Sequence, residues 1–486
     1  MYRIFISAGR KTRPSRCNHN ASAQGTKPRS DKPRPLFAWL ITAAVLGLAC
    51  HAELNTPTEE GVEELPGDSV AILSEEARDL AFRNGYGRRR TRNRASEELV
   101  ELGRVLLFDK ELSGDRTVSC MTCHLPAFGT GDGKSLSIGV GGTGLGADRS
   151  HPDNVFIPRN APSLLNLDEV ANTNFWDGRV MLRNGNLQTP GGDQITAQMR
   201  EVFQFGAISA QPMFPVLSRE EMRGTEGNEL ADIPDENMTA IWEALMARLG
   251  AIDEYRTMFE AAYPGTSFDE MTFAHASNAI AGFFISELSF NDSGWDRFMR
   301  GNNFAVRIEA LRGAISFFRE GCVSCHRGSA FTDQDFHNVA MAQIGPGQGD
   351  GPSERDDFGR GRVVDDSDLL WAFRTAPLRN VELTAPYGHA GQFVELVDFV
   401  DHYSESEDKL RNYDPSQLEP ALQGTFLDNI GAILSTRDRR LEGMEFSRRT
   451  AERITRFLLT LTDEEARDLS GIVPARVPSG LSIDGG

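Results

Sequence analysis

Residues 106–124 read LLFDKELSGDRTVSCMTCH and end in a Cys-x-x-Cys-His motif. The same motif closes residues 311–326, which read LRGAISFFREGCVSCH. Both copies follow apolar residues at helical spacing, such as Leu99, Leu102 and Leu106 before the first copy. The chain therefore repeats a helix followed by Cys-x-x-Cys-His, and this repeat predicts two related helical units.

The spacing of this motif lets two thiols reach the two vinyl groups of one haem while the adjacent His reaches its iron. A thioredoxin-like redox pair would need a βαβ context, and a zinc site would need further ligand pairs. The other two cysteines, Cys17 and Cys50, lie in the amino-terminal leader. We therefore expect two covalently bound c-type haems, one held by Cys120, Cys123 and His124 and the other by Cys322, Cys325 and His326.

The first 50 residues carry a secretory pattern, with nine Lys and Arg against a single acidic residue, followed by an uncharged run that ends at Cys50. That run is shorter than the roughly 20 residues that span a bilayer. Residues 1–50 are therefore predicted to be a signal peptide or a lipoprotein leader. We expect a periplasmic protein, with a lipid anchor on Cys50 and simple cleavage as the two alternatives.

Without residues 1–50 the chain keeps 42 basic and 69 acidic residues, a formal charge of -27. Nucleic-acid binding proteins need a Lys- and Arg-rich surface, so no nucleic-acid partner is expected. The acidic surface suits docking of a basic electron-carrier protein, or it serves solubility alone. The oligomeric state stays open, with a homodimer as one alternative.

Helical periodicity dominates the chain after the leader, whereas sustained strand-type alternation is scarce. The helical patterns lie at residues 237–249, 269–288, 307–319, 393–403 and 451–461. Glycine-rich stretches are longer than ordinary connections and are expected to wrap the haems; they lie at 126–160, 186–194 and 341–368. The predicted fold is mainly α, with two cytochrome c-like helical domains and long haem-wrapping loops.

Domain limits follow from these patterns. Residues 51–95 are predicted to be a tether or surface loop, because they are polar and contain a basic, Gly-bearing stretch. The first domain is expected at 96–300 and the second at 301–470. Residues 471–486 are expected to form a tail.

Three further segments carry a resemblance to the bacterial cytochrome c peroxidase and MauG superfamily. They are RNAPSL at 159–164, FWDGR at 175–179 and FRTAPLRN at 373–380, in the order found in that family. The resemblance covers roughly residues 97–465. It implies an oxidoreductase driven by hydrogen peroxide, in which the first haem does the chemistry and the second supplies or stores an electron.

The resemblance also implies a distal pocket over the first haem. Gln211 and Glu221, ten residues apart, match the family's Gln and Glu, and Glu221 is the expected acid–base group with Glu220 as its neighbouring alternative. Trp176 matches an aromatic that lies between the haems, the alternative being a core residue. The family usually places its Gln about ten residues after the Trp, whereas the insertion at 183–203 lengthens that spacing here.

Many family members block the first iron with a His in a segment like Ser-Ile-Gly-His-Gly. This chain has Val140 at that position, and valine cannot ligate iron. We therefore expect the first haem to be five-coordinate through His124 and open to peroxide without prior reduction. His151 is the nearest rival ligand.

For the second haem, the family's sixth ligand lies fourteen residues beyond the His of a Pro-Tyr-x-His-x-Gly segment, which gives Tyr403 here. Cytochrome c peroxidases have Met there, whereas MauG has Tyr, whose phenolate lowers the potential. His402 is the rival ligand. Arg374 matches a haem-propionate partner, the alternative being a surface Arg. Asn160, Thr384 and Pro386 match positions that hold a calcium ion between the haems.

Three functional hypotheses remain open at this point. The first is a di-haem c-type peroxidase that reduces hydrogen peroxide with electrons from a small cytochrome c or cupredoxin. The second is MauG-like, peroxide-dependent oxidation of a partner protein substrate. The third is a non-catalytic di-haem electron-transfer cytochrome, which predicts two six-coordinate irons that do not react with peroxide.

Overall fold

Helices separated by long irregular segments make up most of the computed structural model, which describes residues 67–87, 95–170 and 172–485. The α-helices are α1 Gly67–Arg83, α2 Glu97–Phe108, α3 Cys120–Cys123, α4 Ala197–Val202, α5 Ala207–Ala210, α6 Met238–Gly250, α7 Asp253–Ala262, α8 Phe273–Glu287, α9 Gly294–Met299, α10 Ile308–Arg319, α11 Arg360–Val364, α12 Leu396–His402, α13 Ser406–Arg411, α14 Pro420–Gln423, α15 Ile430–Ser435 and α16 Arg448–Leu459. The mainly α prediction is confirmed, and each predicted helical pattern overlaps one of these helices.

Five short strands complete the regular structure of the described residues: β1 Thr173–Asn174, β2 Val180–Arg183, β3 Asn186–Gln188, β4 Phe336–His337 and β5 Phe373–Arg374. β1, β2 and β3 form an antiparallel sheet in that order. β4 pairs antiparallel with β5, so that Phe336 lies opposite Arg374. This small pairing fixes the backbone of Arg374, a residue expected to bind a haem propionate.

The helix that precedes each Cys-x-x-Cys-His motif crosses a second helix at a glycine. α2 crosses α8 at Gly103, where a Cβ atom would lie 2.0 Å from the carbonyl oxygen of Ala279. α10 crosses α16 at Gly313, where a Cβ would lie 1.8 Å from the carbonyl oxygen of Arg453. Only glycine permits such close backbone contact. The chain therefore uses the same helix crossing in front of both motifs.

Two main hydrophobic cores surround these crossings. The first is built mainly by α2, α6, α7 and α8, with Trp242 fully buried. The second is built by α1, α9, α10, α12 and α16, with Trp295 fully buried. The described residues from Gly67 onward nevertheless form a single compact unit, and the division near residue 300 remains a prediction.

The predicted tether at 51–95 is wrong for the part that the structure describes. Residues Gly67–Arg83 form α1, whose Ala77 and Ala81 are fully buried in the second core. The segment that follows α1 is also attached to the rest of the molecule, because the carbonyl of Asn84 accepts a hydrogen bond from the amide of Gly328 at 2.9 Å. Val70, Leu73 and Leu80 also pack on this core, at helical spacing with the two alanines, so the sequence does carry a signal for this helix.

The predicted tail at 471–486 also packs against the rest of the molecule. Val477 is buried in the first core, and the Ser479 hydroxyl donates to the carboxylate of Asp109 at 2.6 Å. Asp484 forms an ion pair with Lys110 at 2.6 Å and accepts a hydrogen bond from Thr122, inside the first Cys motif, at 2.5 Å. The end of the chain therefore closes over the first motif.

The predicted leader at 1–50, with Cys17 and Cys50, lies outside the described residues, as does the rest of the chain up to residue 66. Among the helices of the described ranges, none is long and apolar enough to cross a membrane. The structure therefore does not bear on cleavage or lipidation of the leader.

The helix crossings yield a stability prediction. Gly103→Ala and Gly313→Ala should each lower the free energy of unfolding by roughly 1–3 kcal/mol, because the added methyl groups collide with backbone carbonyls. Chemical denaturation of the purified variants, followed by circular dichroism, measures this change. Gly431→Ala is the matched control, since Gly431 lies in helix α15 with nothing within 4 Å of its would-be Cβ. Equal stability of all three variants would contradict the close crossings.

Candidate functional site

The first Cys-x-x-Cys-His motif opens into a cleft whose empty volume, open mouth included, is about 1030 Å³. Cys120, Cys123 and His124 all line this first cavity. The Nδ1 atom of His124 lies 2.9 Å from the carbonyl oxygen of Thr130, so Nδ1 carries the proton and donates. Burial lowers the pKa of His124 and favours its neutral form. Its Nε2 lone pair is therefore free for a metal.

The second motif repeats this arrangement in a larger cleft of about 1690 Å³, open mouth included. Cys322, Cys325 and His326 line this second cavity, and the Nδ1 atom of His326 donates to the carbonyl oxygen of Phe331 at 2.9 Å. The four motif cysteines form no disulfide. Burial raises the pKa of both Cys120 and Cys322 to about 12. They are thus thiols available for thioether bonds.

Arg374 shows that the second cavity suits an anionic cofactor. Its side chain is buried on the cavity wall, where its Nε donates to the carbonyl oxygen of Phe175 at 3.1 Å. Its Nη1 has no hydrogen-bond partner among the described residues, and burial lowers its pKa to about 10. Buried guanidinium groups are normally paired, and a propionate of a bound haem would supply the missing anion.

One wall separates the two cavities, and Trp176 forms part of it. Asn160, Ala161, Pro162 and Trp176 line both cavities. The indole Nε1 of Trp176 donates to the carbonyl oxygen of Asn160 at 2.9 Å, which fixes the ring. The structure thus places Trp176 between the two cofactor sites, where the sequence predicts it.

Glu221 faces the first cavity from an unusual turn of helix. Residues Arg219–Arg223 form a π-helix whose N-terminal Ser218 hydroxyl accepts from the amide of Glu221 at 3.3 Å. Single π turns occur often at functional sites. Glu221 lines the cavity, whereas its neighbour Glu220 is exposed to solvent. The structure therefore favours Glu221 over Glu220 as the acid–base group.

The loop of Val140 packs directly on this π-helix. The amide of Val140 donates to the carbonyl oxygen of Glu220 at 3.1 Å. At Gly139 a Cβ would lie 2.0 Å from the same oxygen, so a glycine is needed there. His151 accepts a hydrogen bond from the amide of Asp153 at 3.1 Å and is absent from the cavity lining. His124 is thus the one His among the residues that line the first cavity.

The charges around Glu221 suit proton transfer near neutral pH. Burial raises its pKa to about 7, Glu220 adds to the increase, and Arg179 and Arg159 oppose it. Arg179 also lines the cavity, where it stacks on the Phe175 ring at 3.6 Å. No role is predicted for Arg179 from the sequence. Its position at the end of the FWDGR segment is the signal that could have identified it as a cavity residue.

Gln211 reaches the first cavity in spite of the insertion that separates it from Trp176. The inserted residues form the turn and second strand of the β2–β3 hairpin and helix α4, and they pack on the first core through Ile195 and Met199. Helix α5 then returns the chain, and its Ser209 hydroxyl donates to Asn278 of α8 at 2.9 Å. The long spacing therefore does not displace Gln211.

Tyr403 and its rival ligand His402 differ in their position relative to the second cavity. Tyr403 lines this cavity, and burial raises its pKa. His402 is buried elsewhere, with its Nε2 donating to the carbonyl oxygen of Val339 at 2.8 Å. Tyr403 is therefore the one of the two that lines the second cavity, and its role as an iron ligand stays a prediction.

The three residues expected at a calcium site also lie on the second cavity wall. The backbone carbonyl of Asn160 already accepts from Trp176, and the hydroxyl of Thr384 donates to the carbonyl oxygen of Val381 at 3.1 Å. Ala385 and Pro386 are joined by a cis peptide bond. These groups offer neutral oxygens, the ligand type that calcium accepts, without a carboxylate among the three.

Two cavities on a mainly helical frame, each carrying Cys-x-x-Cys-His, define a di-haem c-type cytochrome. Residues 97–304 match the family of di-haem cytochrome c peroxidases. Methylamine utilization protein MauG of Methylorubrum extorquens is 29% identical over 351 residues, which cover 70% of this chain and 80% of that protein. Cytochrome c551 peroxidase of Pseudomonas aeruginosa is 29% identical over 309 residues, 63% of this chain and 71% of its own.

Solved structures show the same fold. A MauG-like protein associated with microbial copper homeostasis has a TM-score of 0.55 at 25% identity, covering 80% of this chain and 96% of its own. The di-haem peroxidase BthA of Burkholderia thailandensis has a TM-score of 0.51 at 21% identity, covering 80% and 91%. The chain belongs to the di-haem cytochrome c peroxidase and MauG family, and it is an oxidoreductase of that family.

Proposed function

We propose that this protein reduces hydrogen peroxide to water at the first cavity, with electrons from a small redox protein. The observation that carries this proposal is the half-buried carboxyl of Glu221, which lines the same cavity as His124 and has its pKa raised to about 7. An electron-transfer cytochrome has no need of an acid–base group over its iron. The Val140 loop and the position of His151 support an open coordination site.

The chain's own groups account for the proton movements. Cleaving the O–O bond requires a proton to leave one oxygen of the peroxide and reach the other, and Glu221 can accept and return it. The amide of Gln211 can hold the peroxide by a hydrogen bond. Arg179 supplies positive charge that stabilises the carboxylate form of Glu221. When bound through His124 and His326, the haems would supply the iron and the electrons.

This mechanism predicts a pH dependence set by Glu221. Below about pH 7 the carboxyl holds its own proton and cannot accept one, so the rate of reaction with peroxide should rise as the pH passes upward through about 7. Glu221→Gln should slow the reaction by about 10²- to 10⁴-fold and remove this rise. Stopped-flow absorption of the haems measures both effects.

Glu220→Gln is the matched control, because Glu220 is exposed and points away from the cavity. It should keep the pH profile, with at most a small shift. A Glu221→Gln variant that reacts at the native rate, with full haem content, would remove this residue from the mechanism.

A second candidate function, oxidation of residues on a partner protein as in MauG, is favoured by one observation. Tyr403 lines the second cavity, and a phenolate ligand would hold the second haem at a low potential. The MauG of M. extorquens is among the similar proteins. The two functions share the peroxide chemistry at the first cavity and differ in where the electrons come from.

The role of Tyr403 can be tested by measuring the reduction potential of the second haem. Tyr403→Met should raise the reduction potential of the second haem, because a thioether favours ferrous iron where a phenolate favours ferric iron. Spectroelectrochemical titration measures this potential. Tyr387→Phe is the control, since Tyr387 lines the same cavity without being the expected ligand. Equal potentials in the native protein and Tyr403→Met would exclude Tyr403 as the ligand.

Location and partners follow from the leader and the family. We place the protein in the periplasm, where c-type haems and a secretory leader belong together, and Cys50 is the proposed point of any lipid anchor. The electron donor is proposed to be a small cytochrome c or cupredoxin. Mass spectrometry of the mature amino terminus and light scattering would establish lipidation and whether the protein is a homodimer.

A calcium ion between the haems is also part of the proposal, held by Asn160, Thr384 and Pro386. With only neutral protein oxygens from these residues, the site should bind calcium weakly enough for a chelator to remove it. EGTA treatment should change the haem absorption spectrum, and added calcium should restore it. Metal analysis showing no calcium in the untreated protein, with an EGTA-insensitive spectrum, would refute the site.

A further inference from the structure

Tyr86 lies behind the wall of the second cavity, in a part of the chain that precedes the family match. It follows α1 and is partly exposed, between the exposed Gly85 and Gly87. Its ring centroid lies 6.0 Å from that of Phe331 and 6.3 Å from that of Trp295. Since the carbonyl of Phe331 orients His326, Tyr86 packs against the residue that positions the second haem's ligand.

The phenol of Tyr86 is bound to a buried carboxylate. Its hydroxyl donates to Asp296 at 2.6 Å. Arg379 donates to the same carboxylate at 2.8 and 2.9 Å, and its presence keeps the pKa of Asp296 at about 2 despite burial. Arg379 also lines the second cavity. A short hydrogen-bonded chain therefore runs from the Tyr86 hydroxyl through Asp296 and Arg379 to the cofactor site.

Such an arrangement suits one-electron chemistry. An oxidised phenol is a strong acid, so a tyrosine gives up an electron readily only where its proton has an acceptor at hydrogen-bond distance. Asp296 provides that acceptor for Tyr86. The neighbouring Trp295 is fully buried, and its Nε1 has no partner among the described residues, so it lacks an acceptor. Of the two oxidisable rings in contact here, Tyr86 is the one equipped to react.

We propose that Tyr86 is a redox-active tyrosine that relays single electrons between the second haem and a donor at the surface of residues 84–87. This relay rests on the proposed peroxide-driven function, which supplies the oxidant. Tyr86 gives one electron to the oxidised cofactor site, its O–H bond breaks, and the proton passes to Asp296. The external redox protein then returns one electron to the phenoxyl radical, and Asp296 returns the proton.

The exposed glycines on either side of Tyr86 support this surface as the point of contact. Without side chains at 85 and 87, a partner can approach the phenol ring closely, and electron transfer falls off steeply with distance. The amide of Gly87 and the hydroxyl of Ser329 are hydrogen-bonded at 3.3 Å, which ties this segment to the loop that follows the second Cys motif. The contact surface is thus fixed relative to the haem site.

Freeze-quench EPR on the holoprotein tests the relay. The native protein, made with ring-deuterated tyrosine and with ordinary tyrosine, is mixed with hydrogen peroxide in the absence of an electron donor. We expect a tyrosyl radical that narrows on deuteration and is lost in Tyr86→Phe, which keeps the ring packing. Haem absorption and circular dichroism check that the variant is assembled.

Tyr255→Phe is the matched control. Tyr255 also donates to a carboxylate, that of Asp109 at 2.6 Å, but it is buried in the first core and lines neither cavity. Its variant should keep the radical signal. As a second measurement on the unchanged sequence, radical formation in D₂O should be slower, and the signal should show coupling to the deuteron shared with Asp296.

The outcomes separate the relay from the function on which it rests. If peroxide is consumed but the radical is absent, or persists in Tyr86→Phe, the relay is wrong and the peroxidase proposal stands. If the native holoprotein does not react with peroxide at all, the proposed function fails and the relay fails with it. Loss of the radical in Tyr86→Phe alone supports both.

Discussion

The side chain of Arg159 holds the two halves of the molecule in register. Its guanidinium makes a bidentate pair with Asp357 at 2.7 and 2.8 Å and a third bond to Asp177 at 2.6 Å, all buried. Breaking a buried pair of this kind costs roughly 3–5 kcal/mol, because a charge is left without compensation. Asp177 follows Trp176, and Asp357 belongs to the long loop of the second half. This cation therefore fixes the wall between the cavities, together with the bonds of Arg374 to Phe175 and of Arg360 to Asp177 and Gly178.

The two cavities resemble each other where they hold a cofactor and differ where they would use it. Both orient a His by donation from Nδ1 to a carbonyl, and both bury their cysteines. The lining of the first cavity, however, includes the carboxyl of Glu221, whose pKa is raised to about 7, whereas that of the second includes the phenol of Tyr403. An acid–base group suits the handling of peroxide, and a hard oxygen ligand suits the storage of oxidising equivalents. The proposed function would use this asymmetry to give the two cavities different tasks.

The sequence predicts what is local and periodic. The Cys-x-x-Cys-His motifs, the main helices and the residues around them follow from spacing, and Gln211, Glu221, Trp176 and Tyr403 all reach the expected cavities. Features that rest on single long-range contacts escape prediction. Arg159 and Asp357 lie 198 residues apart, and nothing in the pattern pairs them. α1, by contrast, does leave a periodic trace in Val70, Leu73, Ala77 and Leu80, whereas the last residues are held largely by isolated polar contacts that leave none.

The contact of Asp484 with Thr122 bears on the order in which parts of the protein form. These two residues are separated by 362 positions, and a chain is synthesised from its amino terminus. The turn that contains Cys120 and Cys123 therefore emerges long before its closing partner Asp484. Until Asp484 docks, the turn lacks the carboxylate that tightens it. The two thiols are accordingly most accessible for covalent attachment before the chain has folded as far as this contact.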